Sequence, residues 1–121
     1  MLSATSPADP SSGGQVLLTH KALAEMIGTF TMIFIGGGSI ILTERYPHVI
    51  PAFIIPIAWG LTIALMIFAV GHISGAHFNP AVTLAFVVTK RLPASQIFLY
   101  WGSQFCGGLI AIGLLEVLKK I

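Results

Sequence analysis

The chain has 121 residues, 55% of them hydrophobic and 8% charged, with a mean hydropathy of +0.93. Soluble domains carry about 25% charged residues, so this composition excludes an ordinary soluble domain and points to a lipid bilayer as the partner. The net charge of +2 rests on too few charges to argue for nucleic acid, and a single cysteine, Cys106, excludes an intramolecular disulfide.

Residues 1–18 are rich in Ser, Pro, Gly and Ala. They lack a basic start and a long apolar core, so the expectation is a disordered tail rather than a signal peptide, with the first helix beginning near Thr19. Met26–Thr43, Val49–Gly71 and Leu92–Leu115 are windows of 18, 23 and 24 residues without a charged side chain. Each suffices to cross a hydrocarbon core of about 30 Å, which takes about 20 helical residues. Asn79–Thr89 differs, because Lys90-Arg91 stops it after 11 residues. That is roughly 16 Å of helix, half a membrane. The reading is an all-α membrane protein, with helices over about 19–43, 50–71 and 93–118 and a half-helix over 79–89, in one unit spanning 19–121. Glu44-Arg45-Tyr46-Pro47-His48 forms a polar turn, and Pro51 and Pro56 fall in the first turns of the second span. Cys106 reads as a small core residue. The recurring glycines permit close helix packing; Gly60 alternatively makes room for a pore or for the half-helix.

Ser74-Gly75-Ala76-His77-Phe78-Asn79-Pro80-Ala81-Val82-Thr83 joins the second span to the half-helix. Gly75 and its neighbours are expected to let the backbone run extended, with successive carbonyls facing one way. Asn79 is a good N-cap and Pro80 a good first helical residue. A row of acceptors then ends at a helix N-terminus carrying roughly half a positive charge inside the bilayer. Irregular backbone at that depth is tolerated only when buried in protein or lining a wet cavity, so a pore or solute site is the natural reading. Glu25, in the first apolar helix, must be paired or hydrogen-bonded if buried. His72 and His77 are five apart, a spacing that fits no helix face, so no metal is expected. Nothing resembles a nucleophile with its base, so neither catalysis nor a cofactor is expected.

The decapeptide 74–83 resembles the signature of the major intrinsic protein family, the aquaporins and glycerol facilitators. Ala24-Glu25-Met26-Ile27-Gly28-Thr29-Phe30 resembles the opening of that family's first helix, and Trp59-Gly60-Leu61 and Gly71-His72-Ile73 resemble the flanks of its second. The likeness covers most of 22–118 and is to the first repeat of a nodulin-like or glycerol-facilitator-type member. It implies a multi-pass protein of a plasma or inner membrane that passes water and small neutral solutes such as glycerol. Asn79, Pro80 and Ala81 would line the pore, with Gly75, Ala76, His77 and Phe78 offering carbonyls and the Asn79 amide acting as donor. Trp59 would belong to the aromatic filter near the outer mouth; an interfacial tryptophan is the other reading. Glu25 would brace the backbone of a pore loop in the opposite half of the fold.

The family fold is two inverted repeats, and this sequence resembles one. It has a single Asn-Pro, and Val82 stands where the second repeat would carry the filter arginine. Three explanations follow: a piece of a longer channel, a partner for a separately encoded second half, or a homo-oligomer of copies inserted in opposite orientations. Lys21, Lys90 and Arg91 on one side balance Arg45, Lys119 and Lys120 on the other, so flanking charge does not set an orientation. The rival functional readings are a non-conducting scaffold or assembly subunit and, behind it, an ion-coupled transporter using Glu25.

Overall fold

The computed structural model describes residues 16–121. The tail expected over 1–18 thus lies outside the described residues except for its last three, of which Leu18 already opens the first helix. Four α-helices follow in order: α1 over Leu18–Arg45, α2 over Ile54–Ser74, α3 over Pro80–Val88 and α4 over Ile97–Lys119. A short 3-10 turn, Ala94–Gln96, leads into α4. α1, α2 and α4 with its lead-in turn are long and apolar enough to cross a membrane. α3 has nine residues, about 14 Å of helix, so it reaches halfway.

α1 lies between α2 and α4 and packs along both, and α3 lies against α4. The buried positions of α1 are Ala24, Glu25, Gly28, Thr29, Gly36 and Ser39, all small except the Glu25 carboxylate. Lipid is as apolar as leucine, so burying large apolar side chains gains little here; close backbone approach and internal hydrogen bonds take over. The distribution is accordingly inverted. Phe68, Phe98 and Val88 are exposed, whereas Glu25, Thr83, Gln104 and His77 are buried. Several hydroxyls within the spans bond the preceding turn, as in Thr31 Oγ1 to Ile27 O (2.8 Å) and Ser103 Oγ to Leu99 O (2.8 Å), which satisfies them without a partner helix.

Three details depart from expectation. α1 runs through Glu44 and Arg45, beyond the end near residue 43 that the apolar window predicts, and closes when the Tyr46 amide bonds Leu42 O. Pro51 sits in the turn leading into α2, accepting from Ile54 N, and only Pro56 lies in the first helical turn. Cys106 is exposed, not a core residue. The buried face of α4 is Tyr100, Gln104, Gly107, Gly108, Ala111 and Leu115. At about 100° per residue, position 106 stands roughly 200° from Gln104 and points away.

The half-helix ends in a way the composition did not announce. Lys90 adopts a left-handed backbone with φ of 60°, the Arg91 amide reaches back to Phe86 O (2.8 Å) and the Lys90 amide to Val87 O (3.0 Å). This is a Schellman closure with lysine where glycine is usual. Two terminal carbonyls of α3 are thereby satisfied.

Candidate functional site

The loop from Ser74 to Asn79 is held by one carboxylate. Glu25 is fully buried on α1 and accepts four hydrogen bonds. Its Oε1 receives Ser74 Oγ (2.7 Å) and the His77 amide (2.9 Å). Its Oε2 receives the Phe78 amide (2.8 Å) and Gln104 Nε2 (2.8 Å). All the partners are donors, matching a group that only accepts. The expectation that Glu25 braces a loop in the opposite half is corrected: the loop is this chain's own. Packing of α1 between α2 and α4 sets residue 25 beside the end of α2 and beside Gln104.

The backbone there is not extended, contrary to expectation. Gly75, Ala76 and Phe78 have φ of 90°, 53° and 52°. In an extended strand successive amides alternate sides. Interspersing left-handed residues lets neighbouring amides converge on one acceptor, forming an anion-binding nest. The Ala76 amide bonds Ser74 Oγ (3.1 Å), and the next two amides bond Glu25. No peptide is cis. In a trans peptide the carbonyl opposes the amide that follows it, so the carbonyls of Gly75, Ala76 and His77 face away from Glu25 and Ser74. Left-handed Ala and Phe cost about 1 kcal/mol or more each, offset by these charge-assisted bonds.

Side chains complete the clamp. Phe78 is buried over Gly28, where any Cβ would overlap its ring. The His77 ring lies between Phe86 and Tyr100, with centroids 4.3 and 4.9 Å away, and its Nδ1 is 3.1 Å from Thr83 Oγ1. Thr83 also receives Gln104 Nε2 (2.9 Å). Tyr100 Oη donates to Ser74 O (2.6 Å), one of the carbonyls that the end of α2 leaves open. Trp101 Nε1 donates to Pro80 O (3.1 Å). Tyr100→Phe is expected to lower stability by about 1–2 kcal/mol, the cost of one buried carbonyl left unsatisfied, read as an earlier midpoint in a denaturing-detergent titration. Tyr100, Trp101, Thr83 and Gln104 were missed from sequence. A usable signal existed for Gln104, since a lone amide in an apolar span needs a polar partner, and Glu25 is the carboxylate within α1 that needs one.

Asn79 caps α3 through Oδ1, which accepts the Ala81 amide (2.8 Å), with Pro80 as the first helical residue. Asn79 is exposed, so its Nδ2 stays open as a donor. Ala81 and Gly75 are also exposed, Ala76 and Pro80 half-buried, and the His77 and Phe78 side chains buried, leaving those two residues only backbone to offer. Trp59 lies over Gly36 of α1 and shares with Phe78, Asn79 and Pro80 a cavity of about 460 Å³ between α1 and α4. Residues 59 and 79 thus meet in one concavity although α2 and the loop separate them in sequence.

The sequence profile described as "Major intrinsic protein" matches residues 14–121. The chain belongs to the major intrinsic protein family. Among its relatives are "Putative aquaporin NIP4-1" of Arabidopsis thaliana, 45% identical over 106 residues that make up 88% of this chain and 38% of the relative. "Nodulin-26" of Glycine max is 44% identical over 99 residues, 82% of this chain and 36% of the relative. "Aquaporin Z" of Brucella melitensis is 43% identical over 104 residues, 85% of this chain and 46% of the relative. The chain thus spans less than half the length of these relatives, between 36% and 46%. As a member of this family with three spanning helices, it is an integral, multi-pass membrane protein.

Proposed function

We propose that this chain forms one side of a channel that passes water and small uncharged solutes such as glycerol, passively and in either direction, with a second aquaporin half or a second copy closing the other side. The observation that carries the reading is the turned-out row of carbonyls at Gly75, Ala76 and His77, leading to the open Asn79 amide at the N-terminus of α3. Phe78 continues the row, and Pro80 and Ala81 shape the wall beside it.

A neutral hydroxyl crossing such a wall exchanges its water partners for acceptors and then a donor, so desolvation is offset stepwise. A cation meets the positive end of α3, where the dipole of roughly half a charge is opposed by no nearby exposed carboxylate among the described residues. Glu25 holds the carbonyls in place without presenting its own charge to the solute, because its oxygens are filled by donors from the protein. Trp59, on the same concavity as Asn79, acts as the apolar wall of a filter and sets the bore.

The test is stopped-flow light scattering on liposomes containing the chain, under a sucrose gradient and then a glycerol gradient. In parallel, a chimera replaces the corresponding N-terminal segment of nodulin-26 with residues 16–121. Shrinkage well above that of empty liposomes is expected for the chimera, with Asn79→Phe lowering it at least tenfold. A chimera that inserts and folds but shrinks no faster than empty liposomes overturns the channel reading in favour of a scaffold. Conduction by the chain alone identifies the closing partner as a second copy.

A further inference from the structure

The two ends of the bundle differ in charge in a way that conduction does not use. At the end formed by the start of α1, the finish of α2 and the turn before α4 lie Lys21, Lys90, Arg91 and His72. The carboxylates of the described chain are Glu25, Glu44 and Glu116. Glu25 is consumed by the loop, and the other two lie in the last turns of α1 and α4, at the far end, alongside Arg45 and Lys119. Among the described residues, the near end is therefore cationic without compensation, while the far end is mixed.

That end is also concave. A cavity of about 650 Å³ opens there, lined by Lys21, Arg91, His72, Gln96 and Tyr100 around the Ser74–Gly75 corner. Lys21 Nζ is 3.5 Å from Gln96 Oε1, a long contact that places the ammonium on the cavity wall without neutralising it. Arg91 is exposed and held by its backbone, through the closure of α3, so its guanidinium extends from a fixed anchor with no ion-pair partner among the described residues. Val16, Leu17 and Leu18, all exposed, form an apolar rim where α1 enters the membrane. Two cations with separate anchors, polar neighbours and an apolar rim at the level where three spans end suit one class of ligand.

We propose that this cavity binds the phosphate of an anionic phospholipid headgroup from the leaflet on that side. Arg91 offers a planar fork to two phosphate oxygens and Lys21 a point charge from the opposite wall. Gln96 and His72 hydrogen-bond the headgroup's remaining oxygens. The acyl stems run down the rim at Val16 to Leu18. A zwitterionic headgroup brings its own ammonium and gains little from the two cations. The cation pair is separate from Asn79, although the cavity adjoins the carbonyl row at Gly75 and His77, so lipid binding is measured apart from conduction.

The experiment measures binding of short-chain phosphatidylglycerol and phosphatidylcholine to the purified 121-residue chain in neutral detergent, with inorganic phosphate as a competitor. The expected result is preference for phosphatidylglycerol, reduced about fivefold by Lys21→Gln or Arg91→Gln and about twentyfold by the pair. Lys119→Gln/Lys120→Gln at the far end should leave it unchanged. Arg91→Gln touches only an exposed side chain, so it reports even if the Lys21 variant folds poorly; helicity by circular dichroism checks both. Equal binding of the two lipids, or a preference that survives in the double variant, overturns the site. Displacement by inorganic phosphate at comparable concentration overturns the lipid assignment in favour of a soluble phosphate.

Discussion

Replacing Glu25 by glutamine is expected to cost about 4 kcal/mol of stability and to release the loop, although the side chain keeps its length and volume. Each carboxylate oxygen is met by two donors: Ser74 Oγ and the His77 amide at one, the Phe78 amide and Gln104 Nε2 at the other. An amide nitrogen at either place turns two hydrogen bonds into donor–donor contacts. Bonds to a charged acceptor contribute about 1.5–3 kcal/mol each, so losing two is a loss of several kcal/mol. The left-handed backbone at Ala76 and Phe78 then lacks what holds it, and the carbonyls of Gly75, Ala76 and His77 lose their common direction. Hydrogen exchange is the direct reading. Protection of the His77 and Phe78 amides should fall by about a thousandfold, the equivalent of about 4 kcal/mol, while amides in the middle of α2 change less. Wild-type protection at both amides in the Gln variant would show that the loop holds its shape without the carboxylate.

How far this was readable beforehand depends on which physical signal each feature leaves in the chain. The spans leave a length signal: three crossings were expected over about 19–43, 50–71 and 93–118, and the apolar helices are Leu18–Arg45, Ile54–Ser74 and Ala94–Lys119. The half-helix leaves a sharper one: an N-cap and proline at one end and Lys90-Arg91 at the other, too close together for a crossing. The family was legible in residues 74–83 and 24–30. The face of each span was not. A helix surrounded by lipid is apolar all round, so the periodicity that marks a buried stripe in water is nearly absent, and Cys106 went to the wrong side. Only small and polar residues mark the inner face, as Gln104, Gly107 and Gly108 do on α4. The hand of the loop was half legible. Gly75 at φ of 90° is what glycine is for, but nothing in the identities of Ala76 or Phe78 forecasts a positive φ. That conformation is imposed by Glu25, 51 residues before Ala76, and the same long-range contact put the brace in this half rather than the other. Trp59 and Asn79 came together for a related reason: their shared cavity exists only once α1 is set between α2 and α4.

Gly107→Ala is expected to be more damaging than one methyl group suggests, and Gly113→Ala on the same helix serves as its control. A Cβ at position 107 would overlap the carbonyl oxygen of Met26 and stand 3.0 Å from its carbon and 3.1 Å from Phe30 N, all of them backbone atoms of α1. A side chain in the way can rotate; a helix backbone cannot, so α1 and α4 must separate. Overpacking of this kind costs typically 1–3 kcal/mol. The separation also acts one turn away, where Gln104 Nε2 holds Glu25 Oε2 at 2.8 Å. Stretching that bond by an ångström effectively removes it, bringing the expected total to about 3 kcal/mol. In lipid there is no compensating apolar burial elsewhere, because the interface is stabilised mainly by close approach. At Gly113 a Cβ meets nothing within 4 Å. Alanine there removes a flexible residue from a helix interior and should be neutral or stabilising by up to about 1 kcal/mol. Midpoints of unfolding in mixed micelles compare the two directly. Equal effects at 107 and 113 would mean that α4 tolerates displacement from α1, and that the contact with Met26 does not set the spacing on which the Glu25 clamp depends.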